Sequence, residues 1–441
     1  MLAIFDTFDL PTRELLHSLE TAGIAVTPLF VHYDGELPEG ALSPFASWTG
    51  LERRGEPLFF NEVPVPAWCE IRQEREPFGE ILRDGERIGR INYEPGSFRQ
   101  VQSVDWLLPG GAAGGIRSHT DHYDRYGNRY ATSYYDDGAP YQTVYRGPAR
   151  CEIELNHVSR TVTLRAPGRL LTFPRLADFV SHFIDEQGLD DSRVLINSLS
   201  HPLFVMRQRA ARPNTTLFWQ EPMPGGVPEN MATELEEPRA LERIVFREEQ
   251  LLRKVAARHP RTPVELDYLS PIGQFAEHLD YDPGRAFVLT HSDDLPALVE
   301  LLEAFPEATF SVAALTLMSE KLHALGRRYP NLRLTPGITH RGIREELARA
   351  SVYLDINAGG QVLDVVKAAY LLNLVVLALG PLAKDPEHSR VIETTQELRA
   401  ELAAVFASAD GRARALEALH AQHGPESTAA DYRRMLAERK A

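Results

Sequence analysis

The chain has 441 residues, too many for one typical core, so two or three domains are expected. Its 43% hydrophobic and 25% charged residues match ordinary globular proteins and exclude a disordered, fibrous or disulfide-built chain. A formal charge of -15 argues against nucleic acid as a partner, because phosphate binding needs clustered Lys and Arg; basic polymers and basic protein surfaces stay compatible.

The start, MLAIFDTFDL, lacks a basic region followed by a sustained apolar run, so no secretory signal is expected. LAIFD reads as a strand, Leu15, Leu19 and Ala22 share one helix face, and GIAVTPLFV reads as a second strand. From about residue 58 the pattern changes to short alternating segments separated by Asp84-Gly85, Tyr126-Gly127-Asn128 and Asp136-Asp137-Gly138. RIGRINY, FRQVQSVDWLL, RYATSYY, PYQTVYRG, CEIELNHV and TVTLRA lie between these turns, with tyrosines concentrated from Tyr93 to Tyr145. Residues 60–172 are therefore expected to form an antiparallel sheet domain inserted into a first Rossmann-like domain made of 1–59 and 173–285.

Helix and strand alternation resumes with RLADFVSHFIDEQ, VLINSLS and TTLFWQ. A long helix from Glu237 to His259 is expected, because Leu241, Ile244, Val245, Leu252 and Val255 recur at helical spacing. From Ala286, five apolar strands (AFVLT, ATFSVAA, LRLT, VYLDI, LVVLAL) alternate with amphipathic segments. This predicts a parallel doubly wound sheet over 286–396, with right-handed helical crossovers. The polar helical tail, 397–441, is free to pack back across the other domain. LLNLVVLAL is the longest apolar run and falls far short of a span, so any membrane association is expected to be peripheral. Two cysteines, Cys69 and Cys151, supply neither a disulfide framework nor a four-ligand zinc site, and they fit a reducing cytoplasm.

Open α/β sheets bind ligands at the carboxyl ends of their strands. The candidate loops are therefore those carrying Ser198, Ser200 and His201, Trp219 and Glu221, His291 and Ser292, and Asn357, Gly359 and Gly360. Ser200 beside His201 lacks a nucleophile elbow, which favours hydrogen bonding to an acceptor over attack on one. Trp219 reads first as core and second as a sugar-stacking ring. His119 and Asp121 would share a strand face with His122 opposite, so the three do not converge, and no metal or cofactor site is expected.

Long ordered stretches give the chain a family likeness: EPLFFNEVPVPAWCEI at 56–71, VDWL at 104–107, NHV at 156–158, LTHSDDLPALVELLEAFPEATFSVAALTLMSEKL at 289–322 and VYLDIN at 352–357. Over nearly its whole length it resembles the GtfB family, glycosylation chaperones of the accessory Sec system. The resemblance implies a GT-B-like pair of Rossmann domains with an extended β-sheet domain inserted in the first. It also implies a non-catalytic chain that binds the Ser/Thr-rich repeat adhesin polypeptide and stabilises a catalytic GtfA-type subunit, which adds N-acetylglucosamine to Ser and Thr.

The residues agree that the nucleotide corner is degraded. Retaining GT-B enzymes carry two glutamates separated by seven residues in the last strand-loop-helix unit. With LLNLVVLAL set as the strand after that helix, Gly359 falls at the first position and Lys367 at the second. Lysine has three donors and no acceptor, so it cannot clasp ribose hydroxyls as a carboxylate does. Asp293 and Asp294 would repel a diphosphate; Ser292 or Asp293 is expected instead to cap the helix of Leu295. One alternative stays open: an active retaining transferase that uses Asp364, one helical turn from Lys367, as a displaced carboxylate.

Overall fold

The computed structural model describes residues 1–73, 78–95, 97, 99–108, 115–273, 275–276, 278, 280–421 and 424–437. They divide into two compact units: Met1–Phe246 with Val255–Asp267, and Arg247–Lys254 with Tyr268–Ala441.

The first unit holds a six-stranded sheet in the order Glu265–Tyr268, Leu241–Phe246, Thr215–Trp219, Val194–Ile196, Leu2–Phe5, Thr27–Phe30. Its strands from Leu241–Phe246 to Thr27–Phe30 pair in parallel. Three of them, Leu2–Phe5, Val194–Ile196 and Thr215–Trp219, are buried throughout, as expected for strands covered on both faces. The first strand hands over to helix Leu10–Thr21, whose start is capped by Asp9 Oδ1 accepting from Thr12 N at 3.0 Å.

The helix expected over 237–259 does not form. Leu241–Phe246 is a strand and Glu249–Arg258 a shorter helix. A strand buried on both faces loses its period of two, so an apolar run such as Ile244-Val245-Phe246 imitates one helix face. The strand start is fixed by Glu234, which has no exposed surface. Its carboxylate accepts from Arg239 N, Ala240 N and Leu241 N and pairs with Arg207 Nε at 2.7 Å.

The middle of this unit is a ten-stranded sheet running in sequence order from Cys69–Arg72 to Arg169–Phe173, every adjacent pair antiparallel. Asp84-Gly85 and Asp137-Gly138 have positive φ at both residues, the backbone that tight hairpins need. Strands Cys69–Arg72, Gly79–Arg83, Ile116–Tyr123 and Arg169–Phe173 add to those read from sequence. Phe45 joins the sheet to helix Leu176–Glu186, its ring lying 4.2 Å from that of Tyr145 and 5.3 Å from that of Phe179.

The second unit is a parallel six-stranded sheet in the order Leu332–Pro336, Thr309–Ala314, Arg285–Leu289, Val352–Asp355, Val375–Leu379, Arg390–Ile392. The sixth strand has three residues and begins with arginine, too short and polar to register as an apolar run. The helix expected around Leu295 starts at Leu298, its N-cap is Ala297, and neither Ser292 nor Asp293 caps it; Ser292 Oγ accepts from Asp294 N instead. The tail does not stay apart from this unit. Leu398, Leu402, Val405, Ala415 and Leu416 complete its core, and Tyr432 donates to Ser270 O at 3.0 Å. No helix among the described residues is long and apolar enough to cross a membrane.

Candidate functional site

In the second unit the strand order reverses between Arg285–Leu289 and Val352–Asp355, which places the ligand-binding crevice of such a sheet beyond these two carboxyl ends. The loops there are stitched together. Gly360 N donates to His291 Nε2 at 3.2 Å and Ala358 N to Asp294 O at 3.0 Å. Asn357 Oδ1 accepts from Gly359 N at 2.8 Å, and its Nδ2 donates to Gly360 O at 3.2 Å. A Cβ on Gly359 would stand 2.7 Å from His291 Cε1 and 2.9 Å from Asn357 Oδ1. Any side chain at 359 must first displace the imidazole that holds the loop.

Beside this loop lies a cavity of about 490 Å³ lined by Thr290, His291, Ser292, Asp293, Thr316, Ser319 and Gly359, among others. Its described lining residues include an aspartate and no Lys or Arg, a poor lining for a diphosphate. Lys367 is exposed on helix Val365–Leu371, within electrostatic reach of Glu248. Asp364 occupies the N-cap position of that helix, is exposed and makes no cap hydrogen bond. A residue missed by sequence reasoning supports the loop from beneath: Lys384 Nζ donates to Asn357 O at 2.6 Å and to Leu382 O, while Lys384 N donates to Asp355 Oδ2 at 2.6 Å. Burial raises the Asp355 carboxyl above its ordinary value, against the opposing pull of Lys384. Only its place just beyond the next strand, in GPLAKD, hints at this role.

In the first unit the carboxyl ends carry a second polar group. Ser200 N donates to Ser198 Oγ at 3.0 Å, and Ser200 Oγ lies 3.2 Å from His201 Nδ1. Asp6 Oδ1 approaches the same ring nitrogen at 3.5 Å. A serine-histidine-carboxylate relay needs serine and acid on opposite ring nitrogens, so this trio is not a nucleophile. Trp219 is 3% exposed and offers no face for stacking, whereas Glu221 is exposed. Four buried polar atoms at these strand ends make no hydrogen bond: Asp6 Oδ1, Asn197 Oδ1, Trp219 Nε1 and Gln220 Oε1. Such a concentration is unusual in a satisfied core and marks a place where a polar ligand would be welcome.

Sequence reasoning also missed a cavity of about 550 Å³ in this unit, bounded by Phe8, Arg13, Asp34–Glu36, Glu94 and the sheet turn Tyr123–Tyr126. Arg13 and Arg125 both grip Glu36, at 2.6 and 2.7 Å, and burial together with Glu36 raises the Glu94 carboxyl. Carboxylates arranged in this way accept hydrogen bonds from hydroxyl groups. Its residues are scattered over more than a hundred positions, so no spacing announces it.

The triplet weighed as a metal site is committed elsewhere. Asp121 accepts from Trp106 Nε1 and Thr132 Oγ1, His119 meets Ser118, and His122 starts a chain through Ser133 and Thr143 to His157 with links of 2.8–2.9 Å. A different group of potential ligands, not singled out from the sequence, does converge: among the described residues, Asp6, His32 and His201 bring their ligand atoms within 4.8 Å of one another. These residues are far apart in the chain and meet at the carboxyl ends of neighbouring strands.

Comparison with known proteins decides the lineage. Residues 69–174 match the GtfB middle domain, 176–257 the GtfB third domain and 286–418 the GftB/GlyA-F C-terminal domain. The GtfB stabilizing proteins of the UDP-N-acetylglucosamine-peptide N-acetylglucosaminyltransferase from Streptococcus parasanguinis and Streptococcus pneumoniae serotype 4 are 30% and 31% identical. They cover 88% and 86% of this chain and are themselves covered over 88% and 84%. The chain belongs to the GtfB family. A chain of the crystallised GtfA/B complex bound to UDP and GlcNAc superposes with a TM-score of 0.77 at 28% identity, covering 99% of both chains. TarM, at 11% identity and a TM-score of 0.51, shares the fold alone, that of GT-B glycosyltransferases. Against this GtfB background the glycine at 359 and lysine at 367 stand in a fold that elsewhere transfers sugars.

Proposed function

We propose that this GtfB-family chain transfers no sugar itself, and that it stabilises a GtfA-type transferase and holds the Ser/Thr-rich polypeptide that receives N-acetylglucosamine. The observation that carries this reading is the packing of Gly359 under His291 with no room for a side chain; Lys367, at the position read from sequence as the ribose partner, offers donors where an acceptor would be needed. The relatives' printed role as stabilizing proteins of such a transferase supports the pairing.

Acceptor binding is assigned to the strand-end loops: Ser198, Ser200, His201 and Glu221 in the first unit, His291, Ser292, Asn357, Gly359 and Gly360 in the second. Trp219 would back the first of these without touching acceptor. The carboxylate-lined cavity of the first unit suits hydroxyl-rich chains, sugar-bearing ones included. Holding a flexible polypeptide raises the local concentration of serine and threonine at the partner's site, and weak contacts along the chain suffice. Cys69 and Cys151 are both free thiols, in keeping with work in a reducing cytoplasm.

The test is transfer from UDP-N-acetylglucosamine to a Ser/Thr-rich polypeptide by this chain, by a GtfA-type subunit, and by both. Transfer is expected only with the catalytic subunit and should increase when this chain is added. Turnover by the isolated chain, abolished in Asp364→Asn, would establish the active-transferase reading instead.

A further inference from the structure

Asp6, His32 and His201 come from three separate elements of the first unit. Asp6 follows strand Leu2–Phe5, His32 follows strand Thr27–Phe30, and His201 opens helix His201–Arg209. Parallel pairing sets the first two side by side, and His32 N donates to Asp6 O at 3.1 Å. The imidazoles of His32 and His201 meet edge to face with ring centroids 5.0 Å apart. Asp6 Oδ1 is sealed from solvent and accepts no hydrogen bond, although His201 Nδ1 stands 3.5 Å away. An acceptor left unsatisfied beside two imidazoles lacks an electrophile.

We propose that this triplet is a site for a zinc-class divalent cation, bound through one carboxylate oxygen of Asp6 and one ring nitrogen each of His32 and His201. Two nitrogens and one oxygen are the donor set of zinc and its neighbours, whereas magnesium and calcium take oxygen ligands. Ligand atoms bonded to one tetrahedral zinc lie roughly 3.4 Å apart. The present atoms, all within 4.8 Å of one another, already lie near that spacing. Three protein ligands leave a fourth position for water or a donor from a bound molecule, as in open rather than closed zinc sites. The proposal is independent of the transferase pairing.

The chain, purified without a polyhistidine tag and stripped with chelator, is titrated with zinc sulfate by calorimetry and melted with and without zinc. One zinc per chain and a higher melting temperature are expected. Asp6→Asn and His32→Gln should each weaken binding by roughly tenfold or more, while His119→Ala, on the inserted sheet, binds as the parent does. Melting of the metal-free variants separates lost ligands from lost folding. His201→Ala, whose side chain is more exposed than that of Asp6 (39% against 21%), gives the same reading should either fail to fold. No zinc uptake by the parent chain, or uptake unchanged in a folded variant of the triplet, overturns the assignment.

Discussion

Gly359 shows how one missing side chain sets the packing of a strand-end loop. The residue has no unusual requirement for left-handed backbone; its constraint is space, since His291 and Asn357 occupy the volume a Cβ would enter. Gly359→Ala should therefore cost about 1–3 kcal/mol, the range for overpacking a tight site, read as a lower midpoint in urea. An unchanged midpoint would mean that the imidazole yields freely and that the corner is open to carboxylates. Sequence alone supplied the glycine and the lysine; it could not supply the ring that closes over the glycine, because His291 and Gly360 are 69 positions apart. Asp6 and His32 were equally hidden. Asp6 stands directly after a strand and His32 two residues beyond one, which is the only sequence signal they carry, and nothing in that signal says that the two strands are neighbours with His201 alongside.

Elements were legible where one period dominated. The inserted meander could be read because its hairpin turns announce themselves through Asp-Gly pairs, and the second unit's first five strands in chain order because each is a bounded apolar run. The reading failed at Leu241–Phe246, where full burial of Ile244, Val245 and Phe246 erased the alternation, and at Arg390–Ile392, held by sheet pairing rather than by its own composition. The inserted sheet has a property of its own in the chain His122, Ser133, Thr143, His157. Burial lowers both imidazoles, with Asp105 and Asp121 opposing it and Arg117 reinforcing it at His122. Histidines lowered in the fold bind fewer protons there than when unfolded, so their stability is present at neutral pH and lost as pH falls below the ordinary value of 6.5. Hydrogen exchange should accordingly quicken in strands Ile116–Tyr123 and Ala139–Arg146 between neutral pH and pH 5, after correction for intrinsic rates. His122→Asn with His157→Asn should flatten that dependence. Equal protection across this range would remove the histidines from the sheet's pH response.

At the scale of the whole molecule, the chain has the GT-B architecture of sugar transferases, and the proposed function turns on one corner of it. Both parallel sheets and their strand-end loops persist, the inserted sheet adds surface, and the tail helices complete the second core. What the proposed role draws on is shape and hydrogen-bonding capacity, through which the chain would hold a polypeptide and stabilise a partner. The central claim is that the second unit cannot grip a sugar nucleotide, and the most direct measurement is calorimetric titration of the isolated chain with UDP. The account predicts no saturable binding, in Asp364→Asn as in the parent chain. Stoichiometric UDP binding that disappears in Asp364→Asn would contradict it.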